Sequence, residues 1–129
     1  MTNDNCISNA HDETQRGDEC LAEAKYLLEG DFFNAAVSRA YYAAFHWALA
    51  LLLLKGLDPK THRGAIQLLH LHYVEPGILS LANAAALGQL ETYRELSDYN
   101  AKASFDKTRA EAEVEQAKTF IAACRPLVT

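Results

Sequence analysis

The stretch from Asp31 to Gly56, DFFNAAVSRAYYAAFHWALALLLLKG, constrains this chain more than any other. Ala, Leu and Phe fill it and neither Pro nor Gly interrupts it before Gly56, so it predicts one long helix. Asp31 is expected as its N-cap, where a carboxylate accepts free backbone N–H groups, and Gly56 as a left-handed C-cap behind Lys55. Apolar residues run almost all the way round, which predicts the central, mostly buried helix of a bundle. One stripe on it is polar: Arg39, Tyr42 and His46, spaced i, i+3 and i+7, fall within about 60° of one another. A guanidinium, a phenol and an imidazole on a core helix need partners, because an unpaired buried charge is costly. The stripe predicts either a hydrogen-bonded network that fixes a neighbouring helix or a ligand contact through Arg39 and His46.

At 129 residues, half of them apolar, the chain suffices for one domain with a core that needs neither metal nor disulfide staples. Cys6, Cys20 and Cys124 are odd in number and far apart, which fits no disulfide framework and no metal knuckle and points to the cytosol. The N-terminal stretch is polar and acidic without an apolar run, so residues 1–17 are expected as a loose tail, neither signal peptide nor anchor, ahead of a bundle over 18–125. The apolar run from Tyr41 to Leu54 is short for a membrane span and carries His46, which favours a core helix. A net charge of −5 argues against nucleic-acid binding through the surface as a whole, since phosphate contacts need a concentrated positive field. Lys55, Lys60, His62 and Arg63 gather around one loop, as a local basic patch or as solvated surface.

Four further helices are expected. Asp18 to Glu29 is amphipathic and stops at Gly30, so close to the next helix that the two must form an antiparallel hairpin. Pro59 bars continuation of the central helix, and Thr61 caps a third segment, HRGAIQLLHLHYV. Its His70 and His72 point about 200° apart on a helix and cannot share one ion, and no Glu-x-x-His pair exists, so no metal or other cofactor is expected. A long helix resumes from Ile78, and Asp106 begins the last, which Pro126 is expected to end. No period-two run of β-branched residues appears, so the fold class is all-α with about five helices.

Three segments, SRAYYAAFH at Ser38–His46, KTHRG at Lys60–Gly64 and RELSDY at Arg94–Tyr99, together resemble the HEPN domains, in particular their small stand-alone prokaryotic branch. The resemblance spans most of residues 18–125. It implies an up-and-down bundle, usually a homodimer, and in many members a metal-independent ribonuclease that is the toxin of a pair whose antitoxin is a minimal nucleotidyltransferase. The family's ribonuclease motif is an Arg followed, after four to six residues, by a His. Arg94 is the matching Arg, but Tyr99, Asn100 and Ala101 stand where His would, and no His follows Arg94 at all. Without a group that titrates near neutral pH, cleavage is expected to be weak or absent, with Arg94 left to hold phosphate charge. Tyr99 is the weaker catalytic candidate, its hydroxyl a conceivable acceptor for nucleotide transfer by a partner. His46 and His62 are the histidines to look for beside Arg94 in space.

The same segments place Asp98 four residues beyond Arg94, where the two can pair, and make it the expected partner of a buried Arg39. Tyr93, Leu96 and Tyr99 are expected in a homodimer interface. The resulting expectation is a cytoplasmic RNA- or nucleotide-binding component of a toxin–antitoxin-like pair with a nucleotidyltransferase partner. The alternative is a catalytically inactive helical dimerisation or adaptor module.

Overall fold

The computed structural model describes residues 3–100, 102 and 104–128, with side chains from residue 5 onward. Five α-helices occur among them: α1 (Asn3–Glu29), α2 (Phe33–Leu54), α3 (His62–Leu69), α4 (Leu81–Tyr99) and α5 (Lys107–Val128). A π-helical turn, His70–Val74, continues α3, and no strand occurs among the described residues. The expected all-α bundle is the one observed, with α2 in contact with each of the other four helices. Twelve of the 22 residues of α2 are buried. By length and composition α2 would also pass as a membrane span, but 61% of its most apolar window is buried inside the bundle, which accounts for its hydropathy as core.

Gly56 closes α2 as expected. With φ at 76° it lets the Leu57 N–H reach back to the Leu52 carbonyl at 3.0 Å. Asp31 does not cap α2. It takes a left-handed φ of 66° and closes α1 instead, with the Phe32 N–H donating to the Leu27 carbonyl at 2.9 Å. The chain must reverse within three residues, and Asp tolerates that conformation better than the flanking Phe would. Thr61 and Asp106 do cap α3 and α5, accepting from the N–H groups of Gly64 at 2.9 Å and Arg109 at 2.8 Å. Helix α5 also runs through Pro126 to Val128. A proline that late removes few helical bonds, and Leu127 and Val128 pack against the core beyond it.

The largest departure is at the N-terminus, where the expected tail is helix from Asn3 onward. Cys6, Ala10, Glu13, Gly17, Cys20 and Ala24 recur at alternating steps of four and three, a coiled-coil seam written in small residues. Cys6, Ala10, Cys20 and Ala24 are buried. At Gly17 an added Cβ would stand 2.6 Å from Cδ1 of Trp47 and 2.9 Å from the Ala43 carbonyl, so α1 and α2 cross too closely there for any side chain. Trp47 Nε1 then donates to Asp18 Oδ1 at 3.1 Å, and Arg125 of α5 reaches the same carboxylate at 3.0 Å.

Among the described residues two charged side chains are buried. Glu113 of α5 is fully enclosed and accepts from Arg109 at 3.3 Å, Gln89 at 3.2 Å and Gln116 at 3.1 Å, which ties α4 to α5. The other is Arg94.

Candidate functional site

Arg94 sits on α4 between Glu91 and Asp98, three residues before and four after it, so all three occupy one helical face. Its Nη2 donates to Glu91 Oε1 at 2.7 Å and its Nη1 to Asp98 Oδ2 at 3.4 Å. Its guanidinium also lies 5.2 Å from the ring centre of Tyr41, 5.9 Å from that of Tyr42 and 5.9 Å from that of Tyr99. Only 7% of the Arg94 side chain is exposed, and its Nε has no hydrogen-bond partner.

Helix α3 brings His62 to the same place. The Thr61 cap fixes the start of α3 and makes His62 its first helical residue. The imidazole stacks on Phe45 with ring centres 4.4 Å apart, its Nδ1 lies 2.5 Å from the Tyr41 hydroxyl, and the same Nδ1 is 3.9 Å from Glu91 Oε2. Tyr41 is fully buried, whereas 40% of the His62 side chain is exposed, so the imidazole covers the buried Tyr41–Glu91–Arg94 cluster and faces solvent on its other side.

Burial pushes the Tyr41 phenol well above its usual value, and the neighbouring Glu91 carboxylate raises it further, so Tyr41 keeps its proton. Burial also opposes ionisation of Glu91, but the Tyr41 hydroxyl, the neighbouring Glu95, Arg94 and His62 together outweigh it and hold the carboxyl below the usual range. Glu91 Oε2 is buried without a hydrogen bond of ordinary geometry. A buried acceptor left so costs about 1–3 kcal/mol.

The other expected site residues separate. His46 Nδ1 pairs with Glu13 Oε2 of α1 at 2.5 Å, a contact between helices that fixes docking. Arg39 is half-buried, with its guanidinium 5.0 Å from the centre of the Tyr42 ring. The expected Arg39–Asp98 pair does not form, because Asp98 already meets Arg94 one turn away on its own helix, with no other element to bring up. The basic patch disperses as well: Lys55 lies over Tyr73 and Lys60 pairs with Asp58 at 3.1 Å, which leaves His62 and an exposed Arg63. Tyr93 packs against Phe105 and Arg109 of its own chain, whereas Leu96 and Tyr99 stay exposed beside a shallow groove of about 350 Å³ that Thr92, Glu95 and Asn100 complete.

Sequence reasoning did not single out Tyr41, Phe45 or Glu91. Glu91 had a signal, since it lies three residues before Arg94 on a helix. Tyr41 and Phe45 had none, because both read as core. Among the described residues no group of three or more His, Cys, Asp or Glu is arranged to hold a metal.

The HEPN domain family matches residues 10–127. Among curated relatives, "Putative toxin MJ0605" of Methanocaldococcus jannaschii is 36% identical over 104 residues, 81% of this chain and 77% of that one. A UPF0332 protein of Thermotoga maritima is 30% identical over 114 residues, 88% of this chain and 86% of that one. The crystal structure of TT1696 from Thermus thermophilus shares the fold, with a TM-score of 0.75 and 21% identity over 92% of this chain and 97% of that one. The resemblance carried by SRAYYAAFH, KTHRG and RELSDY is thus a family relationship over nearly the whole chain: this protein belongs to the HEPN domain family.

Proposed function

We propose that this protein is the RNA- or nucleotide-binding component of a toxin–antitoxin-like pair, with a nucleotidyltransferase as its partner and a second copy of itself across the Leu96 and Tyr99 face. One observation carries the reading. Arg94, at the family's motif position, is drawn in among three tyrosines and keeps a buried Nε with no protein partner, beside a Tyr99 that is 79% exposed. A guanidinium next to an exposed aromatic ring suits a phosphate and its attached base. Relatives whose names carry the word toxin support the setting.

The second reading, an inactive dimerisation or adaptor module, draws on charge. Glu91 and Asp98 put two carboxylates on one guanidinium, and Glu95 adds another nearby, so the site repels phosphate unless Asp98 swings away. Asp98, with a third of its side chain exposed, is the arm that can move. Fluorescence anisotropy with a short labelled RNA and with a labelled adenine nucleotide separates the readings. Saturable binding that Tyr99→Ala and Arg94→Lys both weaken, in folded protein, supports the first; no binding by wild-type protein leaves the adaptor.

A further inference from the structure

Resting on that reading, we propose that Arg39 of α2 is a second phosphate-binding residue beside the Arg94 cluster, so that the ligand is a single RNA strand touched at two phosphates rather than a mononucleotide held at one. Four of the chain's six arginines are held by carboxylates: Arg16 by Glu19, Arg94 by Glu91 and Asp98, Arg109 by Glu113 and Arg125 by Asp18. Arg39 and Arg63 have no carboxylate partner among the described residues. For Arg63, exposed at the start of α3, water suffices. Arg39 differs because it is half-buried on a helix otherwise packed into the core, where a charge without a counter-charge is costly. Its contact with the Tyr42 ring, 5.0 Å from the centre, uses its charge but none of its N–H donors, which remain available to a ligand at the bundle edge.

The charge around Arg94 calls for such a residue. Glu91 and Asp98 together outweigh Arg94, and Glu95 adds a further carboxylate on the same helix, so a phosphate that meets this cluster alone is repelled. Arg39 brings an uncommitted positive charge to the same place, because the Arg94 guanidinium lies 5.9 Å from the centre of the Tyr42 ring that Arg39 covers. On the α1 side Glu13 is held by His46 and Glu19 by Arg16, and neither pairs with Arg39.

A strand suits this arrangement better than a polyphosphate does. It spaces its charges one per nucleotide and offers an unpaired base to the exposed Tyr99 ring. A polyphosphate concentrates several charges against the carboxylates of Glu91, Glu95 and Asp98. The planar fork of a guanidinium takes two oxygens of one phosphate at once, which fixes the strand as well as attracting it.

The test measures fluorescence anisotropy of a labelled single-stranded RNA and of labelled adenosine mono- and triphosphate with the full chain, over a series of salt concentrations. Folded Arg39→Gln should bind the RNA about tenfold more weakly at low salt. It should also lower the slope of log K against log salt by about 0.7, the counterion release expected for one phosphate contact on a single strand. Its affinity for the monophosphate should match the wild type, and Arg39→Lys, which keeps the charge, should keep the slope. In the wild-type protein the Arg39 Nε–H resonance should shift with RNA and not with the monophosphate, a readout that stands even where Arg39→Gln does not fold. An unchanged slope, equal losses for RNA and monophosphate, an Arg39 resonance that RNA leaves unmoved, or triphosphate binding as tight as that of RNA and as dependent on Arg39 each overturns the proposal. RNA binding that weakens with Tyr99→Ala and Arg94→Lys but not with Arg39→Gln leaves the binding reading standing without the second contact, whereas no binding of any probe removes both.

Discussion

Replacing Arg94 with Met removes the guanidinium but keeps most of its bulk, which isolates the electrostatic part of the site. Glu91 would then remain as a carboxylate with 15% of its side chain exposed and its partner gone. Breaking a buried pair in this way costs about 3–5 kcal/mol. The lower end, about 3 kcal/mol, is expected here, because Glu91 keeps some solvent and His62 Nδ1 stands 3.9 Å away as a substitute partner. The assay is urea denaturation followed by circular dichroism for wild type, Arg94→Met, Glu91→Gln and the double variant. The double variant should be more stable than Arg94→Met, because it no longer strands a charge. The pH dependence should change as well. In the wild type Glu91 titrates below its ordinary range, so the pair's stability is present above the unfolded carboxylate value and is lost as pH falls through the lower folded value. Without Arg94, Glu91 loses one of the groups that hold its carboxyl low, so its pKa rises from the wild-type value and the variant's deficit, present at neutral pH, shrinks as pH falls through the variant and then the wild-type value. A cost under about 1 kcal/mol at neutral pH, the range of an exposed pair, or a deficit that does not shrink in acid, would refute the reasoning.

Gly17→Ala should destabilise by about 1–2 kcal/mol even after the roughly 1 kcal/mol gained in helix propensity, because the new methyl meets the Ala43 carbonyl and Trp47 at once; a more stable variant in the same denaturation assay would contradict the close crossing. Burial pushes the Cys124 thiol up to about 12 and encloses Cys6 and Cys20, so a thiol reagent at neutral pH should label the native protein slowly and the urea-unfolded protein fast. Rapid labelling of all three native thiols would mean that the seam between α1 and α2 opens freely. Light scattering at tens of micromolar should find a dimer that Leu96→Glu converts to monomer, because Leu96 and Tyr99 are the exposed apolar groups of α4 beside the site. A wild-type monomer would refute that interface.

The sequence carried the bundle because long apolar periodicity and caps are local signals. The α2 stretch, Gly56, Thr61 and Asp106 each did what their chemistry predicts. The N-terminal half of α1 escaped because its seam is made of Cys, Ala, Gly and one Glu, and small residues between charges carry little hydropathy. What makes Gly17 and Ala10 core residues is the nearness of α2, and that is a tertiary fact. The site divided along the same line. Arg94 with Asp98 is a one-turn relationship and was legible, as Glu91 would have been. His62 was visible as a residue but not as a neighbour, because 29 residues separate it from Glu91 and no local rule predicts where a short helix docks. Arg39 misled for the complementary reason. Its place on a core helix implied a carboxylate partner, but its long side chain reaches the bundle edge and lies over Tyr42.

The most direct measurement of the central claim, that the Arg94 cluster is the working centre of this protein, is an NMR titration of the nitrogen-15-labelled chain with a short single-stranded RNA that carries a 2′-deoxy block against cleavage. The account predicts that the first and largest shifts fall on the Arg94 Nε–H, the His62 ring and the Tyr99 backbone, with α1 and the far end of α5 unmoved. Shifts confined to other surfaces, or none at saturating RNA, would contradict it.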